Sequence, residues 1–253
     1  GASQSEEFNH NSITYSDLNS KIASVAGGFS KLGIRENDRV IVFVPISPEL
    51  YMSIVALQHI GAIPVLLDST ARQEQLAAIV QNSGPYGIIA PSAWLQTFKD
   101  RLDTFNIGVR IASDKTMVES GITKLTSLFS ESPQAITPVK RDDTALITYT
   151  TGSSGTPKGA NRTHRFLAAQ HYALKRLFPY SPTDVDLPVF PVFALNNLAS
   201  GITTVIPAID ISKPNAEDSK ILLSQIVKCK VNCMTLAPSS FRNLAIYCSE
   251  TKT

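Results

Sequence analysis

The sequence predicts a layered α/β fold, with parallel-sheet subdomains and flanking helices. Three observations carry this expectation. Short runs of β-branched and aromatic residues, such as Val40-Ile41-Val42-Phe43-Val44 and Ile63 to Leu67, read as strands buried on both faces. Helical patterns alternate with these runs, the rhythm of a parallel sheet with crossover helices. The 253 residues are 43% hydrophobic and only 17% charged, below the ~25% of an average domain, which suits strands covered from both sides.

The elements follow in order. Leu18, Ile22, Val25, Phe29 and Leu32 recur at helical spacing and mark one face of a first helix. Thr14 with Asp17 three residues on resembles a capping box, and Gly33 suits the left-handed position after the helix. After the strand at 40–44, Ser47-Pro48-Glu49 starts a second helix that runs to about Ile60 and stops at Gly61. Ile63 to Leu67 is a strand, Arg72 to Val80 a helix, and Tyr86 to Ala90 and Gly108 to Ala112 are strands. Ser130 to Arg141, with Pro133 and Pro138 among polar residues, reads as a linker. Beyond it, Ala145 to Thr150 is a strand and Thr163 to about Phe178 a helix. Val185 to Val189 and Thr203 to Ile206 are short strands, Ala216 to Val227 a helix, Val231 to Leu236 a strand, and Pro238 opens a last helix. The expected division is a first subdomain at 1–129, a linker at 130–142 and a second, incomplete subdomain at 143–253.

Charge and cysteine content narrow the function. Lys plus Arg number 23 and Asp plus Glu 21, so no basic footprint for nucleic acid exists. Three cysteines, Cys229, Cys233 and Cys248, form no disulfide framework and read as reduced thiols in a cytoplasmic protein. No run of 18 or more apolar residues predicts a transmembrane helix. The chain opens on Gly1-Ala2-Ser3 without Met, which leaves a removed leader open.

The most informative segment runs from Ala145 to Gly159. A buried strand delivers the chain to Thr150-Thr151-Gly152-Ser153-Ser154-Gly155-Thr156-Pro157-Lys158, with a helix expected within a few residues. Consecutive backbone N–H groups in such a loop form an anion nest, the hydroxyls add donors, and Gly152 and Gly155 allow close approach to phosphate oxygens. Lys158 adds a point charge. The chemistry suggested is polyphosphate binding, although composition alone fits a plain Gly/Ser turn equally well. The segment is neither a Walker A loop nor a dinucleotide fingerprint.

Tyr-Thr-Thr-Gly-Ser-Ser-Gly-Thr-Pro-Lys-Gly, residues 149–159, resembles the signature loop of the adenylate-forming superfamily of acyl-CoA synthetases, peptide-synthetase adenylation domains and luciferases. Gly152, Gly155, Pro157, Lys158 and Gly159 alone match by chance at about one start in a million. Ile13-Thr14-Tyr15-Ser16-Asp17-Leu18 is similar to the family's first motif, and Leu57 to Val65, with Gly61 and Ala62, to its second. The resemblance covers about Ile13 to Asn243. Asp186 to Leu195, followed by Thr204 to Asp210, resembles the β-lactone synthetases of bacterial olefin biosynthesis and their fatty-acyl ligase relatives; Asn196 and Asn197 depart from the apolar residues expected next.

The resemblance implies ATP-dependent activation of a carboxylic acid, here fatty acyl, to an acyl-adenylate. Transfer to coenzyme A or an acyl carrier protein, or lactone closure, would follow. It assigns Thr150, Thr151, Gly152, Ser153, Ser154, Gly155, Thr156 and Lys158 to the phosphates, with Lys158 as the catalytic residue, and Phe193, Asn196 and Asn197 to the acyl side. No metal ligand is assigned, because the Tyr-Gly-x-Thr-Glu element whose Glu helps hold Mg2+ does not occur, nor does the Thr-Gly-Asp element for the ribose. The chain is therefore expected to be an N-terminal portion, inactive in adenylation alone and able to self-associate through a surface the rest would cover. The rival reading is a non-catalytic remnant of a split synthetase that binds nucleotide or a partner.

Outside these motifs, His164 could orient phosphate or cap a helix. His171, two turns on, forms no convincing metal pair with it, Asp184 and Asp186 read poorly as an acid–base pair, and Trp94 reads as packing.

Overall fold

The computed structural model describes residues 12–67, 73–151, 157–211, 215 and 217–251. Helix α1 (Tyr15–Lys31) starts where expected: the Thr14 hydroxyl accepts from the Asp17 amide at 3.1 Å and donates to the Asp17 carboxylate at 2.8 Å. Ile22, Val25, Ala26 and Phe29 form its buried face. Gly33 takes a φ of +92° just beyond the end, the conformation a non-glycine residue avoids.

Strand β1 (Arg39–Val42) pairs in parallel with β2 (Ile63–Leu67), and helix α2 (Pro48–His59) crosses between them, capped by the Ser47 hydroxyl. Helix α3 (Gln73–Ser83) leads to β3 (Gly87–Ala90), which pairs with the other side of β1. Two short helices that hydrophobic spacing does not reveal, α4 (Ser92–Thr97) and α5 (Lys99–Thr104), precede β4 (Val109–Ala112). Trp94 packs there, stacked on Phe98 at 4.3 Å between ring centres and tilted against Phe43 at 5.3 Å. A two-residue strand β5 (Thr123–Lys124) and a 3-10 turn (Leu125–Ser130) follow.

The segment expected as a linker is an extended strap held on the first layer. The Gln134 amide donates to the Ala23 carbonyl, the Thr137 amide to the His59 carbonyl, and His59 Nε2 lies 2.7 Å from the Gln134 carbonyl. Strand β6 (Thr144–Thr151) then joins β2 in parallel, and β7 (Pro157–Thr163) returns antiparallel beside it. One seven-stranded sheet results, in the order β5-β4-β3-β1-β2-β6-β7. Hydrogen bonding therefore does not divide the chain at 130–142; β6 and β7 belong to the first sheet.

A three-stranded parallel sheet, β10-β8-β9, holds the rest: β8 (Val185–Pro188), β9 (Thr203–Thr204) and β10 (Cys233–Thr235). Helices α6 (His164–Leu177), α7 (Pro191–Ser200), α8 (Asp218–Cys229) and α9 (Pro238–Thr251) accompany it. The large sheet has a core on each side. Val40, Val42, Ile89 and Ile111 face α1 and α2, and Ala194 of α7 joins that cluster. Ile41, Val65, Ile88 and Tyr149 face α3 and α5, with Leu76, Ile79 and Leu102.

Gly27 shows how tightly the strap lies on α1. A Cβ there would stand 1.9 Å from the Ser132 carbonyl oxygen. Replacing a glycine in an unobstructed helix by alanine gains ~1 kcal/mol. Gly27→Ala is expected to reverse that sign and destabilise the chain by about 2 kcal/mol, because helix and strap must separate. A urea unfolding midpoint above that of the parent chain would refute the expectation.

Candidate functional site

The site is built at the carboxyl edge of the large sheet, where ligands of parallel α/β sheets bind. Val42, Leu67 and Thr151 end their strands there. Residues 152–156, and with them the assigned Gly152, Ser153, Ser154, Gly155 and Thr156, lie outside the described residues. Their two roots are described. On one side Thr150 and Thr151 are the last residues of β6; on the other Pro157 and Lys158 begin β7, and the ladder pairs Thr150 with Lys158 and Thr151 with Pro157. The loop thus closes a β-hairpin instead of leading straight into a helix. Helix α6 begins only at His164, with the Thr163 hydroxyl accepting from the Phe166 amide at 3.1 Å.

Hydrophobic periodicity misses β7 because Lys158, Gly159, Ala160 and Asn161 are all exposed. The strand exists through its main-chain pairing with β6. Pro157 is its first residue, the place where a strand tolerates a missing N–H.

Lys158 is exposed and forms no ion pair among the described residues. It alternates with Gly159, which faces Tyr149 and the α3 side, so Lys158 projects to the side of the sheet on which α1, α2 and α7 pack. Thr148 lies on that same side of β6, and its buried hydroxyl has no hydrogen-bond partner among the described residues. An exposed lysine at the end of the hairpin suits an anionic ligand such as a polyphosphate. Among the described residues no group of three His, Cys, Asp or Glu could hold a metal ion.

Phe193, Asn196 and Asn197, which the resemblance assigns to the acyl side, sit on α7, a helix the sequence reading leaves unassigned. It follows the carboxyl end of β8, opens with Pro191 in its first turn and closes at Gly201, whose φ is +74°. Phe193 is half-buried, its ring 6.4 Å from that of Phe190. Asn196 and Asn197 are buried, and both are engaged within the fold. Asn196 Oδ1 lies 2.9 Å from His171 Nδ1 on α6. Asn197 is fully buried and donates from Nδ2 to Asp186 Oδ2 at 2.7 Å. The hydroxyl of Tyr15, the first residue of α1, donates to the Ile202 carbonyl at 2.7 Å and reaches the Asn197 carbonyl at 3.2 Å. Three elements from distant parts of the chain therefore pin α7.

Tyr15, His171 and Asp186 have roles that the sequence reading did not assign. Asp186 carried a signal, as a lone acid inside the apolar run 185–190. His171 and Asn196 are 25 residues apart and carried none. Asp184 and Asp186 do not act together. Asp184 accepts from the Ser181 amide and from Asn232 Nδ2, whereas Asp186 faces Asn197 and the Tyr180 hydroxyl. Burial raises the Asp186 carboxyl above its ordinary value, against the hydrogen bonds from Asn197 and Tyr180; burial beside Asp186 also pushes the Tyr180 phenol up to about 12.

A cleft of about 490 Å3 lined by Asp38, Arg39, Tyr86 and Val109 opens at the other edge of the sheet, where β1 and β4 begin. It is remote from Lys158.

A model of the AMP-binding enzyme family matches residues 3–252. The chain belongs to that family. Over 246 residues it is 30% identical to an olefin beta-lactone synthetase of Xanthomonas campestris, an alignment covering 93% of this chain and 43% of that protein. It is 28% identical over 190 residues to a crotonobetaine/carnitine–CoA ligase of Citrobacter koseri, covering 73% and 37%. Among solved structures, a long-chain-fatty-acid–CoA ligase of Archaeoglobus fulgidus superposes with a TM-score of 0.81 at 24% identity, over 99% of this chain and 50% of that one. An O-succinylbenzoate–CoA synthetase of Bacillus subtilis, solved with AMP, gives 0.74 at 16%, over 94% and 58%. These superpositions establish the α/β fold of an AMP-binding enzyme. The chain spans less than half the length of the sequence relatives it matches.

The raised Asp186 carboxyl makes a pH prediction. The folded state holds its proton to higher pH than the unfolded chain, so folding stability falls as pH rises from the ordinary carboxylate value of 3.8 through the raised one. Asp186→Asn keeps an acceptor for Asn197 and removes that loss. Denaturation midpoints followed from pH 4 to neutrality should flatten in the variant, and an unchanged slope would contradict the assignment. Tyr15→Phe is expected to cost about 1 kcal/mol by leaving the Ile202 carbonyl without its donor, read from the same curves.

Proposed function

We propose that this chain supplies the phosphate-loop and acyl-side portion of an AMP-forming acid ligase. ATP and a fatty carboxylic acid would meet at the carboxyl edge of the large sheet. The acid oxygen would attack the α-phosphorus, pyrophosphate would leave, and an acyl-adenylate would form. The observation that carries this reading is the pairing of Thr150 with Lys158 and Thr151 with Pro157 at the two roots of the signature segment, with Lys158 exposed and without an ion pair among the described residues, in a chain of the AMP-binding enzyme family.

The work such chemistry asks of a protein is positioning and charge neutralisation. Lys158 would neutralise phosphate charge, and residues 150–156 would supply amides and hydroxyls. Mg2+ would add charge neutralisation at the phosphates, and among the described residues no group of three His, Cys, Asp or Glu is placed to hold it. Phe193 would offer apolar contact to the acyl chain, with Asn196 and Asn197 shaping the wall from within through His171 and Asp186. The acyl group would pass to coenzyme A or a carrier protein, or close on an internal hydroxyl as the name of the Xanthomonas relative suggests.

No helix among the described residues is long and apolar enough to cross a membrane. Cys229, Cys233 and Cys248 form no disulfide, which suits a reducing compartment, and we place the activity in the cytoplasm. Self-association has its candidate surface on α6, where Phe166, Tyr172 and Leu177 are exposed.

Calorimetric titration of MgATP tests the reading. The parent chain should bind, and Lys158→Ala should weaken binding by roughly tenfold to a hundredfold, the worth of one hydrogen bond to a charged group. No binding by the parent chain would defeat the proposal. With a fatty acid added, pyrophosphate release is expected to stay at background, because the elements for Mg2+ and ribose do not occur in the sequence.

A further inference from the structure

The residue after Lys158 is held in an unusual way. Gly159 pairs with Tyr149 across the β6–β7 ladder. A Cβ built on Gly159 would lie 2.9 Å from Tyr149 Cζ, 3.2 Å from Cε1 and 3.2 Å from the hydroxyl. The phenol ring therefore lies across the glycine Cα and fills the space a side chain would take. Its hold on that place is firm. Tyr149 is 8% exposed and belongs to the buried cluster with Val65, Leu76, Ile79 and Val80, contributed by β2 and α3. The core on one side and the glycine on the other confine the ring. The pair sits one residue before Thr150–Lys158 and two before Thr151–Pro157, after which the ladder ends.

Resting on the nucleotide-binding reading above, we propose that Tyr149 is a positioning residue for Lys158. Its ring, seated on Gly159, sets how closely and in what register β6 and β7 approach where the phosphate loop is rooted. In a strand exposed along its outer edge, side-chain packing specifies register weakly. Here one aromatic–glycine contact supplies it. A methyl group at position 159 would lift the ring or part the strands, and both displace Lys158. The ring touches no substrate in this role; it acts through the backbone that carries the lysine.

A double-mutant cycle tests the coupling. The variants are Gly159→Ala, Tyr149→Ala and the two combined, with Tyr149→Phe as the conservative variant that keeps the ring. The first readout is amide hydrogen exchange in residues 145–151 and 157–161, which needs no nucleotide. Gly159→Ala should speed exchange there by roughly tenfold and leave β1 and β3 unchanged, and Tyr149→Phe should stay within about twofold of the parent chain. In the Tyr149→Ala background, where the ring is gone, Gly159→Ala should have little further effect. The second readout is MgATP affinity, which should fall by roughly tenfold in Gly159→Ala and hold in Tyr149→Phe. Equal effects of Gly159→Ala with and without Tyr149, or no change in hairpin exchange, would overturn the proposal. Hairpin exchange that follows the cycle in a chain that binds no MgATP would support the ring–glycine coupling and overturn the nucleotide reading instead.

Discussion

The parallel pairing of β6 with β2 is the constraint on which the rest of the molecule depends. Val65, Leu66 and Leu67 align with Ile147, Thr148 and Tyr149, so about 80 residues close into one loop at this ladder. The chain-entropy cost of that closure grows only slowly with length. Buried apolar surface offsets it: Val65 and Tyr149 enter the same cluster as Ile41, Ile88 and Leu76. Once β6 is seated, β7 has a partner, the hairpin has a place at the rim, and Lys158 has a direction. The strap at 130–142 serves the same closure. Gln134 and Thr137 bind the backbone of Ala23 and His59, and Gly27 lets the strap approach α1 to a distance at which no side chain fits.

The second sheet is joined to the first by polar contacts as well as by packing. Ala194 of α7 enters the α1–α2 core, while Tyr15, Asp186 and His171 hold the helix from α1, β8 and α6. Buried polar pairs specify an arrangement more narrowly than apolar contact does, because a shifted partner leaves an unsatisfied group in low dielectric. Among the described residues Asp186 Oδ1 and Asn197 Oδ1 have no hydrogen-bond donor, and burial holds the Asp186 carboxyl toward its protonated form. The Thr14-Tyr15 dipeptide has two separate tasks: threonine caps α1 and tyrosine docks α7.

The helices and buried strands were legible wherever periodicity or a run of β-branched residues marked them. The bounds of α1, α2 and β2 match the expectation to within a residue or two. Elements made by partners rather than by their own pattern were not. β7 is polar and exposed, α4 and α5 are too short to show a period, and α7 carries two asparagines inward where an amphipathic helix would be apolar. The site was legible in the same uneven way. The loop 149–159 stands out in one dimension, since contiguous glycines, hydroxyls and a lysine are themselves the signal. Asn196 and Asn197 were expected at the acyl side, and the reason both amides are engaged lies in Asp186 and His171, 11 and 25 residues away.

The sequence by itself determined the alternation of helices and strands, the caps at Thr14 and Ser47, the glycine-bearing loop and the family resemblance, because each depends on residues within a few positions of one another. Only the tertiary structure decided that the loop closes a hairpin on the first sheet, that Tyr149 covers Gly159, and that Tyr15 reaches Ile202 across 187 positions. Those outcomes depend on which backbone groups find partners after the long loops close, and that choice is made by the summed burial of the whole core rather than by any local pattern.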